Sequence, residues 1–455
     1  MVMMKRLRIS VLSVLLALGF LGLGEGILRL VGWGAPSEDP YMDISGDVSV
    51  YERVGDWLET RADKKRLFRY ERFEAQKPAR TRRIICLGGS DVFGYPYTQA
   101  GAWPALLQKG LNENSPSWQV INSGGIAYAS YRVLRVFREV IAYEPDAIVV
   151  MTGHNEFLEK RVYAEPLAVN PTLRALRTAL GRLYLFNVLR HALIRKPDPQ
   201  KALLGENVSW DYVPRDDKQK KLTEEHFAFS LREMARLGRA GGIPVIFVTA
   251  PCNLKDYPPL GGDGSDAAHA AYARGRELTE AGNYKEAYLA FRKAADLDDH
   301  PVRAFSSYND IIRKIAGFKG CFLADAEAAF IKASVGIPGD DLFLDHVHFR
   351  SEGAAIVAYE VAAALVSAGL MPQQRLSAVT SGIASARKSL SPEQEAFARY
   401  GAAYEAFHYM NQSERPRKLL LEALKIFPVF PEASQLLDEI PRSDQTPENN
   451  NGAGD

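Results

Sequence analysis

The sequence predicts an α/β fold built on a parallel sheet, and three observations carry that expectation. Short apolar runs bounded by glycine and turn residues recur through the middle of the chain, amphipathic helical patterns separate them, and the runs are apolar throughout, as strands covered on both faces must be. The runs fall at residues 83–87, 119–122, 147–151, 244–248 and 321–325. Helical periodicity lies between them at 103–111, 131–143 and 223–237. Open parallel sheets bind ligands beyond the carboxyl ends of their strands, so the residues following each run are where chemistry is sought.

With 455 residues the chain is long enough for two or three units. Its formal charge of +1, from 56 basic and 55 acidic residues, argues against nucleic acid as a partner and suits small neutral or weakly charged substrates. Cys86, Cys252 and Cys321 each sit in or beside an apolar run, which favours buried thiols over a disulfide framework, and no pair has metal-site spacing.

At the N-terminus, Lys5, Arg6 and Arg8 precede an apolar run at 9–24 that Glu25 breaks. This is the pattern of a cleaved signal peptide or a retained signal anchor. Apolar continuation through 27–31, with Arg29 snorkelling, favours an anchor at 1–34, and either version puts the bulk of the chain outside the cytoplasm, on the periplasmic face of a bacterial inner membrane. Residues 35–80 read as a stem without chemistry, and 81–370 as the α/β domain.

Two excursions interrupt that domain. Residues 172–196 carry Arg174, Arg177, Arg182, Arg190, Arg195 and Lys196, a packed helix with a solvated basic face ahead of a lid or membrane-surface helix. Residues 271–301, within an insertion at 265–303, have the spacing of one tetratricopeptide-like helix pair (Gly275, Leu278, Gly282, Tyr284, Ala287, Phe291, Ala294). A lone repeat cannot hide its apolar stripe, so a weaker relative at 396–432, within 390–440, is its expected stacking partner, with contact expected between Phe291 and the Leu420 region. The tail at 441–455 reads as disordered.

The chemistry-bearing residues follow the apolar runs. After the first comes Gly88-Gly89-Ser90-Asp91, a serine on a tight turn entering a helix, where unpaired N–H groups converge. An N-cap serine is the plain alternative. The α/β-hydrolase elbow does not fit, since Val92 replaces its last glycine, and no P-loop continuation follows. After the second run stand Asn122-Ser123-Gly124-Gly125-Ile126-Ala127, and after the third Gly153-His154-Asn155-Glu156. A backbone N–H and an asparagine amide together could stabilise an oxyanion. Near the end, Asp345-His346-Val347-His348 spaces a carboxylate and an imidazole so that they can pair and turn the outer ring nitrogen toward a serine. A metal site from Asp345, His346 and His348 lacks a further ligand cluster, and His346 reads as structural or a substrate neighbour.

In this order the four elements resemble the SGNH (GDSL-like) hydrolase superfamily over roughly residues 83–364. The resemblance implies a three-layer, flavodoxin-like parallel sheet, the SGNH hydrolase fold, working without metal or cofactor. It places the nucleophile at Ser90, acid and base at Asp345 and His348, and the oxyanion hole at Ser90, Ala127 and Asn155. The family's glycine is Ala127 here, which can serve only if its φ is not positive, with Gly124 as fallback. Membrane-anchored members with exopolysaccharide roles look nearest, implying an acylated small molecule or carbohydrate as substrate. The expectations are ester hydrolysis, O-acyl transfer to an envelope glycan by the same residues, or a non-catalytic scaffold binding a protein partner through the repeat-like helices. Retention of Ser90, Asn155, Asp345 and His348 argues against the scaffold.

Overall fold

The computed structural model describes residues 2–34, 49–113, 117–157, 183–193, 216–262, 264–410 and 412–441, together with Leu176, Leu180 and Gly181. The chain divides into two compact units, residues 1–48 with 159–209, and residues 49–158 with 210–455.

In the first unit the helix Val2–Val31 continues through Glu25, the residue that interrupts the apolar run. The Glu25 carboxylate accepts from Tyr184 N at 3.0 Å and Leu185 N at 2.9 Å, capping the helix Tyr184–Leu193, and holds Arg29 at 2.8 Å. Among the described residues no helix is long and apolar enough to cross a membrane, so the expected anchor is not supported. The run at 9–24 alone spans about 24 Å of helix, short of a hydrocarbon core of about 30 Å, and the continuation through 27–31 that a crossing needs carries Arg29 paired with Glu25. Of the basic excursion, Arg174, Arg177, Arg182, Arg195 and Lys196 lie outside the described residues, as does the tail from 442.

The second unit is built on five parallel strands, β4 (Arg82–Gly88), β5 (Trp118–Gly124), β6 (Ala147–Met151), β7 (Val245–Val248) and β8 (Cys321–Ala324), in the order β5-β4-β6-β7-β8. This is the expected flavodoxin-like order, and each apolar run identified in the sequence lies on one of these strands. Ile84, Ile85, Cys86, Leu87, Val149 and Val245 are fully buried. One face is covered by the helices Trp103–Asn112, Ser351–Ser367 and Leu376–Lys388, the other by Ser130–Val140, Asp217–Ala240 and Ser306–Ala316, giving three layers. All three cysteines are free and buried. Gly88 lies level with Gly124 and Met151, so the segments leaving β4, β5 and β6 emerge on one rim.

The expected stem is in part a folded sheet. Three short antiparallel strands, β1 (Tyr51–Val54), β2 (Trp57–Thr60) and β3 (Arg72–Glu74), pair in the order β1-β2-β3. Strands of three or four residues are too short to display a two-residue period, which is why none was legible. Their attachment is specific. Buried Arg83 bonds Gln119, Tyr143 O and Glu74 O at 2.7–2.8 Å, and Arg69 lies 3.9 Å over the Phe93 ring.

The two helical additions form hairpins, Ala267–Glu280 with Tyr284–Leu297, and Pro392–His408 with Glu414–Ile426. They do not stack into the expected joint module. Phe291 packs among Cys252, Leu254, Ile337 and Val347, whereas Leu419, Leu420 and Ala423 pack with Tyr97, Leu344 and Phe430. A cleft of about 820 Å³ lies between them, with Tyr272 and Phe291 on one wall and Arg415 and Lys418 on the other. Phe291 finds cover on the α/β core, and the other stripe on Tyr97 and Leu344 together with Phe430 and its own C-terminal helices, so neither needs the other.

Candidate active site

Ser90 opens the short helix Ser90–Phe93 directly beyond β4, with Gly89 as its extended N-cap. The glycine is required. A Cβ on Gly89 would collide with the Asn155 amide nitrogen, which reaches this turn from beyond β6. One Asn155 amide hydrogen goes to Tyr128 O at 3.1 Å, and its second remains for another acceptor beside Ser90. The neighbouring Glu156, 1% exposed, fixes the same segment by accepting from Ser130 N at 2.8 Å and Ser130 Oγ at 2.9 Å.

Opposite stands the loop 345–348. Asp345 Oδ1 accepts from the N–H groups of Val347 and His348, both at 2.8 Å, and Oδ2 meets His348 Nδ1 at 2.6 Å. His348 Nε2 lies 2.7 Å from Ser90 Oγ. The loop is held from behind by Asn253, whose Nδ2 donates to Asp345 O at 3.0 Å and whose N–H donates to His346 O at 2.9 Å. Ser90 thus joins Asp345 and His348, the latter 258 residues further along the chain, in one hydrogen-bonded line, in which a neutral ring that gives its Nδ1 hydrogen to the carboxylate has Nε2 left to accept from the serine.

Electrostatics reinforce the line. Burial by itself would raise the Asp345 pKa, but the imidazoles of His348 and His346 and its hydrogen bonds hold it well below the usual carboxylate range. For His348, burial works downward and is outweighed by Asp345, then by Glu405 and Asp91, so its pKa is raised. Burial pushes Asp91 up to about 6 and brings His154 down to about 3 and His346 to about 4, leaving both of these rings neutral near pH 7.

His346 is buried, its ring 5.3 Å from Tyr257 and 5.9 Å from His348. The metal reading does not fit its geometry. Asp345, His348 and Glu405 offer ligand atoms within 4.8 Å of one another, but both His348 nitrogens are already engaged by Ser90 and Asp345. Ala127 does not meet its condition, since its φ is 60°, and the fallback Gly124 gives its N–H to Asn122 Oδ1 at 3.0 Å. The loop leaves β5 in a left-handed turn that the sequence did not signal.

Two residues at the site carried no sequence signal. Tyr95 sets its ring edge against His348 with centroids 4.9 Å apart, and Glu405 arrives from the C-terminal hairpin. Nothing local marks either, because their position depends on where that hairpin docks.

No family model matches the chain, and no curated protein matches it. Among solved structures it is similar to an acetyl xylan esterase (16% identity, 62% of this chain and 99% of that one, TM-score 0.34). It is also similar to a GDSL-like lipase from Bacteroides thetaiotaomicron (17%, 65% and 92%, 0.34). A third is an acetyl-xylooligosaccharide esterase from Geobacillus stearothermophilus (16%, 64% and 95%, 0.35). At such identities and scores, the reading of the site rests on its own geometry.

Proposed function

We propose that the protein is a serine esterase that removes O-acyl groups through Ser90, His348 and Asp345. The observation that carries this reading is the continuous line of contacts Ser90 Oγ···His348 Nε2 at 2.7 Å and His348 Nδ1···Asp345 Oδ2 at 2.6 Å. Ser90 Oγ attacks the ester carbonyl as His348 Nε2 takes its proton, and Asp345 stabilises the imidazolium. The carbonyl oxygen, now anionic, accepts from the Ser90 N–H and the free Asn155 amide hydrogen. His348 then protonates the departing alcohol, and water, deprotonated by the same ring, releases the acyl group.

O-acyl transfer is the second reading, with a sugar hydroxyl in place of water. It uses the same Ser90, His348 and Asp345 and differs only in the group that accepts the acyl. The acetyl group, the carbohydrate and an exported location rest on the sequence resemblance and on Lys5, Arg6 and Arg8 ahead of the apolar run.

The test is turnover of p-nitrophenyl acetate with and without oligosaccharide acceptors, with products identified by mass. Ser90→Ala and His348→Ala should each lower kcat roughly 10⁴- to 10⁶-fold without unfolding the protein, and Asp345→Asn by roughly 10⁴-fold. Near-wild-type turnover in Ser90→Ala or His348→Ala would sink the assignment.

A further inference from the structure

The C-terminal hairpin does more than pack beside the site. Its first helix, Pro392–His408, approaches the segment after Ser90 so closely at Gly401 that a Cβ there would lie 2.9 Å from Pro96 Cβ. One helical turn further along the same face stands Glu405. The Tyr95 hydroxyl donates to Gly401 O at 3.1 Å, tying this helix to the segment after Ser90. Glu405 lies there with a carboxylate oxygen within 4.8 Å of a carboxylate oxygen of Asp345 and a ring nitrogen of His348.

We propose that Glu405 is a positioning residue for His348, a second carboxylate that faces the imidazolium formed as Ser90 is acylated. The proposal rests on the reading of His348 as the base. The proton moves from Ser90 Oγ to His348 Nε2 while the Oγ–carbonyl bond forms, and then to the leaving oxygen. Glu405 takes no proton and acts only by its charge, while Tyr95, held to the same helix through Gly401 O, lays its ring against His348. The other groups facing the imidazole are Asp345 on its own loop, Asp91 on the helix after β4, and the neutral rings of His346 and His154. Tyr409, at the end of the Glu405 helix, faces Tyr95. Burial raises the pKa of Glu405 itself, and His348 opposes that rise.

Glu405→Gln keeps the shape and removes the charge. Two measurements from about pH 5 to 10 test it, the titration of the His348 ring by NMR and the acid limb of kcat/KM for an acetyl ester. Removing a negative charge beside an imidazole lowers its pKa, so both midpoints should fall by about one unit, a tenfold change in the protonation equilibrium. Glu405→Asp should restore part of the shift, and Tyr95→Phe, which keeps the carboxylate, should give less than Glu405→Gln. Unchanged midpoints in Glu405→Gln, with Ser90→Ala inactive, overturn the proposal and leave the esterase reading standing. A wild-type protein without ester turnover overturns that reading, and the NMR titration still decides whether Glu405 acts on His348.

Discussion

The inserted hairpin and the C-terminal hairpin share a helical pattern in the sequence, yet they hold opposite sides of one loop. Leu344, just before Asp345, belongs to the core under the C-terminal hairpin, and Val347, just before His348, to the core under the inserted one. From the inserted side come bulk and a buried cation, with Phe291 1% exposed and the Arg292 guanidinium 3.5 Å from Glu327. From the other come Glu405, beside His348, and Gly401, which admits the close approach of its helix. One hairpin braces the loop and the other also charges it, a distinction that the shared apolar stripe does not encode.

Phe291→Ala should have the largest effect on the bracing side. Removing a fully buried phenyl ring that lies edge-on to Tyr272 should cost about 3–5 kcal/mol, read from denaturant midpoints. The pH limb of the protein that remains folded should stay in place, and a displaced limb would erase the contrast between the hairpins. Gly401→Ala should show the reverse signature, with a moderate loss of about 1–3 kcal/mol as the added methyl pushes the helix off Pro96, and a limb shifted in the same direction as in Glu405→Gln. Full retention of both the midpoint and the limb would show that the close approach is unimportant. The smallest effect is expected from Ser391→Ala, which removes the capping box formed with Gln394 and should cost about 1 kcal/mol with little change in turnover.

The sequence made the central sheet legible because its strands are buried on both faces and therefore uniformly apolar. Ser90, Asn155, Asp345 and His348 were legible for a related reason, since two follow strands directly and two share a local spacing that permits their pairing. Tyr95 and Glu405 are placed by the docking of a helix far along the chain, and no local pattern reports docking. The φ of Ala127 depends on how the segment after β5 turns, where alanine gives no warning. The hairpins were legible as helices but not as separate bodies, because an apolar stripe reveals that it needs cover and not what covers it.

The sheet also divides the labour between its two ends. Long additions leave the carboxyl ends of strands, from β6 to the helix Asp217–Ala240 and from β7 to the helix Ser306–Ala316, whereas the returns into β6, β7 and β8 from Tyr143, Ala240 and Ala316 are short. Among the described elements, these long connections open from the rim that bears Ser90. Such a protein can acquire a new acceptor, brace or charge by lengthening a connection, with the strand register untouched. The opposite rim, where Arg83 ties Glu74 of β3 to the parallel sheet, keeps its returns short and with them the register.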